Sequence, residues 1–324
     1  MQKSKAFFRS LAAVLGLCVL ALGYMSVSSS AQDRMTGQWI VSPSKQDGFA
    51  RLTLQRTDTG GRFNSSSSIL LTELRGLTEA QMRGAGGAVR FEIVRDAGTI
   101  ACEGWFKDSK GSGSFVFNPS PNFVAEMRAF GYDGLTSDRM FSLAMHDVRL
   151  DFVRGLASAG YERLALDQLV SMRIHGVSLN FINDLKSLDY DRVAVDQLVS
   201  MRIHAVSADF IRDLKEFGYE RVAVDQLVSM RIHGVESDFI RELKEFGYTQ
   251  VPVDQLVSMR IHNVTISFIK ELKTFGYEMV AVDQLVSMRI HGVTPEFIRR
   301  MKERGVKNLS VEQLISLRIH GFNL

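Results

Sequence analysis

The chain has 324 residues, 45% of them apolar, which is enough for two domains with substantial cores and excludes bulk disorder. Its formal charge of +3 resides in Lys3, Lys5 and Arg9, and the rest of the chain holds 36 basic and 36 acidic residues. A neutral body gives no broad electrostatic reason to bind nucleic acid or an anionic membrane, so neither is expected as a partner.

Residues 1–31 read as an export signal. MQKSKAFFRS is the basic segment and LAAVLGLCVLALGYM (11–25) the apolar one, with small Ser29 and Ala31 positioned for cleavage after Ala31. The apolar run is shorter than the ~20 residues of a spanning helix. Membrane association is therefore expected only if the signal stays uncleaved. Cys18 follows Leu17, where a lipoprotein signal requires a small residue. After cleavage Cys102 stands alone, so no internal disulfide is expected.

Residues 32–118 read as a small β-rich domain. RLTLQR (51–56), VRFEIVRD (89–96), TIACEGWF (99–106) and SFVFN (114–118) alternate as half-buried strands do. The short connections make the last three an antiparallel meander. SSSSILLTELRGLTEAQM (65–82) is read as holding one short helix, and GSGS (111–114) as a hairpin turn. Trp39 and Trp105 suit either a ligand platform or a core, and the core is the simpler expectation. The segment has no histidine and one cysteine, so it lacks the usual nucleophile–base pair of a hydrolase.

Residues 119–324 are repeats. DQLVSMRIH occurs five times, from Asp167, Asp196, Asp225, Asp254 and Asp283, always 29 residues apart. All seven histidines keep that period, from His146 to His320. The first copy (DRMFSLAMH) and the last (EQLISLRIH) diverge, as caps facing water do. A period of this length over seven units means a solenoid. Each unit encodes two short helices, the first with Asp as N-cap and Gly176, Gly234 or Gly292 just past its end. In the second, Phe210, Ile211, Leu214 and Phe217 form one apolar face before Gly218 and Tyr219 close a Schellman motif. The expectation is an α+β chain: a small antiparallel β domain, then an α/α solenoid of seven helix pairs.

On a helical wheel Leu227, Val228, Met230 and Ile232 cover most of the string's circumference, as in a helix packed on several sides. Gln226, Ser229 and His233 form a polar stripe, and Arg231 lies apart, placed to pair with an acid of the next repeat. Packing, Asp capping and His233 at the helix end do not call for Gln226 or Ser229. Yet the tetrapeptides after the string drift (SLNF, SADF, ESDF, TISF, TPEF) while the string does not. Something therefore holds the polar positions too. The candidate binding residues are Gln197, Arg202 and His204, with Gln226, Arg231, His233, Gln255, Arg260, His262, Gln284, Arg289 and His291.

Equivalent histidines lie on helices ~8–10 Å apart or more, too far for shared metal ligation, so no metal or other cofactor is expected. RIHGVTPEFIRR (289–300) faintly resembles a helix-hairpin-helix, but Thr294 or Glu236 stands where that motif needs a second glycine. The pattern VDQLVSMRIHGVTPEFIRRMK, with Gly-Tyr between helices, more closely resembles repeats of bacterial envelope proteins, some of them attached to antibiotic-responsive sensor proteases of the BlaR1 type. The resemblance covers 119–324 and includes no protease. It implies an extracytoplasmic bacterial setting, periplasmic or secreted, and a part in envelope signalling. The expected function is non-enzymatic protein binding or scaffolding, with another envelope protein as partner. The alternative is a glycan- or lipid-binding β domain carried on a solenoid spacer.

Overall fold

The structure is a computed structural model that describes residues 35–58, 61–84, 86–306 and 308–321. The expected signal segment lies outside the described residues. The chain divides into two compact units, one formed by the residues up to Val94 with Thr99–Pro119, the other by Arg95–Gly98 and everything from Ser120.

The first unit is a six-stranded antiparallel sheet. Its strands are β1 (Met35–Pro43), β2 (Phe49–Asp58), β3 (Gly61–Leu70), β4 (Gly87–Arg95), β5 (Gly98–Lys107) and β6 (Lys110–Pro119), in the order β3-β2-β1-β6-β5-β4. The four strands read from alternation are present and the last three form the expected meander. Alternate residues of each strand point to one face, where Trp39, Leu54, Phe106, Phe115 and Phe117 are buried. A short helix, α1 (Glu79–Arg83), lies inside the range expected to hold one and starts on a Thr78–Gln81 capping box. β3 escapes the sequence because its serine run offers no apolar alternation, although it pairs with β2 over its whole length.

GSGS is not the turn. The hairpin reverses at Asp108 and Ser109, whose φ angles are 50° and 62°, and Gly111 and Gly113 lie within β6. These glycines serve space. A Cβ at Gly111 would come within 2.4 Å of the Phe106 ring, and one at Gly113 within 2.0 Å of the Glu103 carbonyl. Opposite, a Cβ at Gly104 would sit 2.6 Å from Trp39. The glycines let the Trp39 and Phe106 rings lie flat on the sheet.

The second unit contains fourteen nine-residue helices among its described residues. The string helices and their counterparts are α3 (Ser137–Met145), α5 (Leu166–Ile174), α7 (Val195–Ile203), α9 (Val224–Ile232), α11 (Val253–Ile261), α13 (Val282–Ile290) and α15 (Val311–Ile319). Between them run α2 (Pro121–Ala129), α4 (Leu150–Ser158), α6 (Leu179–Ser187), α8 (Ala208–Glu216), α10 (Ser237–Glu245), α12 (Ile266–Thr274) and α14 (Pro295–Glu303). Odd helices stack on odd and even on even, giving two layers. Nine residues are too few to hold a helix in water, so the stacking is what makes them helical. The string helices lie closer to one another than the second helices do.

The string's Leu and Met are the centre of the core: Leu227, Met230, Leu256 and Met259 are fully buried. The second helices bury Phe, Ile and Leu, as Phe210, Ile211 and Leu214 do. Both helix types end as read. Tyr219 N–H donates to Leu214 O (2.9 Å) and Gly218 N–H to Lys215 O (2.9 Å), which is the Schellman pair. Gly234 follows α9 at φ 69°, and Ala205 and Asn263 take the same left-handed conformation at 55° and 56°. The start of the string helix corrects the reading. Its N-cap is Ala223, which has no capping side chain, and Asp225 sits one residue inside the helix.

Five tyrosines also tie one repeat to the next. The hydroxyls of Tyr161, Tyr190, Tyr219, Tyr248 and Tyr277 donate to the carbonyls of Val193, Val222, Val251, Val280 and Leu309 at 2.7–2.9 Å. Each bond satisfies a loop carbonyl that neither helix can reach.

Candidate functional site

The string's arginines stack on rings. Arg202, Arg231, Arg260 and Arg289 place their guanidinium carbons 5.2, 5.2, 5.0 and 5.1 Å from the ring centroids of Phe181, Phe210, Phe239 and Phe268. Each phenylalanine belongs to the second helix of the preceding unit. Arg173 of the first string does the same over Phe152, and Arg318 of the C-terminal cap repeat over Phe297. Arg173 and Arg318 also donate Nε–H to the carbonyls of His146 and His291 (3.4 Å each), at the C-terminal end of the preceding string helix. A cation there meets both a π face and the negative end of a helix dipole. The repeating partner is thus an aromatic ring rather than the acid expected from sequence. Ion pairs occur singly, as Arg173 with Asp147 (3.2 Å) and Arg231 with Glu236.

The glutamines, read from sequence as binding residues without a packing role, also join repeats. Gln197 Nε2 donates to Asp225 Oδ1 and Gln255 Nε2 to Asp283 Oδ1, both at 3.2 Å, and Gln284 donates to Glu312. Gln168 and Gln284 accept the N–H of Ala165 and Ala281 (3.0 and 3.3 Å), half a capping box from the third helical position. Gln226 is exposed at the equivalent place. The histidines sit at the helix ends, His233 and His291 exposed, His204 and His262 half-buried. Burial lowers the pKa of His146 in the first repeat. Among the described residues no three His, Cys, Asp or Glu side chains converge as a metal site would need.

Isoleucine is the position that packing leaves unexplained. Ile232 was expected to be enclosed, but Ile174, Ile203, Ile232, Ile261, Ile290 and Ile319 are each 53–54% exposed. Leu227 and Met230 define the buried direction, and Ile232 lies across the helix from them with Asp225 and Ser229. Asp225, Ser229 and Ile232 follow at i, i+4 and i+7, and Asp167, Asp196, Asp225, Asp254, Asp283 and Glu312 are all exposed. Three parallel rows therefore run over the stacked string helices: acid, serine, isoleucine. Between α13 and α15 the rows border an open groove of ≈ 400 Å³ lined by Asp283, Ser287, Glu312, Ser316 and Ile319, among others. The wheel held this signal, because Ile232 falls nearest Asp225 and farthest from Met230.

The first unit has a second exposed feature. Trp105 is 55% exposed on the sheet face opposite the core, whereas Trp39 is fully buried and donates Nε1–H to Glu103 O (3.1 Å). The two indoles do not form one platform. Gln38 pairs with Gln55 and Ser114, and Gln55 with Asn64, so amides and a hydroxyl line up across four strands of the outer face. The Arg90–Glu103 ion pair (3.1 Å) closes that face on β4 and β5.

No protein-family model, curated protein or solved structure matches this chain.

Proposed function

We propose that the protein is an exported, non-enzymatic binding or scaffold protein whose solenoid docks another envelope protein along the acid–serine–isoleucine rows. The observation that carries this reading is the isoleucine row. Six half-exposed isoleucines at one position are left out of the packed core, and a regular line of exposed apolar side chains along one face suits an interaction surface. The Leu, Met and Arg of the same string serve the stack, and Gln197, Gln255 and Gln284 join repeats through acids of the row, which leaves isoleucine as the apolar position free for recognition. Solenoids suit long partners because equivalent positions recur along them. The resemblance of the repeats to those of envelope proteins and the export-type N-terminal segment support an extracytoplasmic site and a role in envelope signalling.

The test is capture of envelope proteins by the purified protein beside an Ile203→Ser, Ile232→Ser, Ile261→Ser variant that keeps its helicity and melt. Capture that vanishes with the folded variant supports the reading; capture unchanged by it refutes it.

A second reading draws on Trp105: a sugar ring stacked on the exposed indole, its hydroxyls meeting Gln38, Gln55 and Ser114, with the solenoid as spacer. Quenching or a shift of indole fluorescence on titration with soluble glycan strands, lost in Trp105→Ala, would favour it.

A further inference from the structure

The rows set a period, and we infer from it the kind of chain the docking face takes: an extended, polyproline-II-like segment built of apolar–basic–any triplets. The inference rests on the docking reading and deepens it.

Packed helices lie ~8–10 Å apart, so each row presents one side chain every ~8–10 Å. A polyproline-II chain rises ~3.1 Å per residue with three residues per turn, so it advances ~9 Å per turn and returns a side chain to the same side at each third position. One triplet then spans one repeat. The rows also fix the order across the face. Along each string helix the serine lies ~6 Å and the isoleucine ~10 Å from the acid, at 1.5 Å per residue. A chain above the serines reaches the isoleucines with one side chain of each triplet and the acids with another, while the third faces water. The isoleucines ask for an apolar group and the acids for Lys or Arg.

The serine row argues for extended backbone over a helix. Ser171, Ser200, Ser229, Ser258, Ser287 and Ser316 lie between the two outer rows, one hydroxyl per repeat. A polyproline-II chain has no internal backbone hydrogen bonds, and its free carbonyls accept from such hydroxyls. An α-helix satisfies its own backbone and gains nothing there. Six isoleucines give room for six triplets.

The probe is a synthetic peptide of six Leu-Lys-Pro triplets, titrated into the full chain by fluorescence anisotropy. The controls are a peptide of the same composition without the period and a helical peptide with one Leu and one Lys per seven residues. The expected result is binding about tenfold or more tighter than the aperiodic control, from the added apolar burial. Ile203→Ser, Ile232→Ser, Ile261→Ser should abolish that preference. Asp196→Asn, Asp254→Asn should weaken binding and reduce its salt dependence, since exposed charge pairs are screened. Equal binding of the aperiodic peptide overturns the triplet inference. Isoleucine-dependent binding of the helical peptide alone overturns it too, yet leaves the face as a docking site. If neither peptide binding nor envelope-protein capture depends on the isoleucines, both the inference and the docking reading fall.

Discussion

The guanidinium of Arg260 lies 5.0 Å from the ring centroid of Phe239, in the second helix of the preceding unit. The same pair recurs through the solenoid, so arginine in the string is a stacking residue. Arg260→Ala should lower unfolding free energy by about 1–2 kcal/mol, the range for a partly desolvated cation–π contact. Arg260→Lys should recover only part, because an ammonium cannot lie flat on the ring. Denaturant titration of the three proteins checks this, and a variant as stable as wild type would return Arg260 to the surface.

The tyrosine ties make alkaline stability a readout of repeat stacking. Burial raises the pKa of Tyr219 from 10.0 to about 12 and raises those of Tyr161, Tyr190, Tyr248 and Tyr277. A folded pKa above the unfolded one means the contribution is whole below pH 10 and is lost as pH climbs through about 12. Cooperative loss of helicity should therefore accompany tyrosinate absorbance in that window. Tyr219→Phe should cost about 1 kcal/mol at neutral pH, since the Val251 carbonyl loses its donor, and should flatten part of the alkaline slope.

Ala205 is the repeat's conformational misfit. It follows α7 at φ 55°, where Gly176, Gly234 and Gly292 stand in three other copies. Ala205→Gly should raise stability by about 0.5–1 kcal/mol, because the left-handed conformation costs glycine nothing. The gain would appear as a higher melting temperature with helicity unchanged.

Cys102 is fully buried, and burial pushes its thiol up to about 12. The thiol form predominates at neutral pH, and the thiolate is the reactive species. Alkylation at neutral pH should be negligible in the folded protein and rapid in denaturant. Rapid alkylation of the folded protein would mean that β5 opens locally.

Much of this architecture was legible from sequence. The 29-residue period fixed the helix pairs, and Gly218 and Tyr219 announced the closing motif. What stayed hidden was spatial. The sheet absorbs glycines at 111 and 113 because the Phe106 ring lies over the first and the β5 backbone at Glu103 and Gly104 crowds the second, which local sequence reads as a turn. The cation–π and tyrosine contacts join residues of different helices, so no window of one helix displays them. Ile232 departs from the wheel reading because apolar residues spread round a helix suggest packing on several sides, whereas the stack encloses the Leu227 and Met230 side and leaves Ile232, opposite, in water.

The central claim is that one string holds two separable sets of residues, one that stacks and one that faces the partner. The most direct test is the thermal unfolding of the Ile203→Ser, Ile232→Ser, Ile261→Ser variant beside Leu227→Ser. The account predicts that the triple variant melts with wild-type cooperativity, each exposed change costing no more than ~0.5 kcal/mol, while the single buried change disrupts the stack. A triple variant that loses cooperative unfolding would show that isoleucine, too, is architecture.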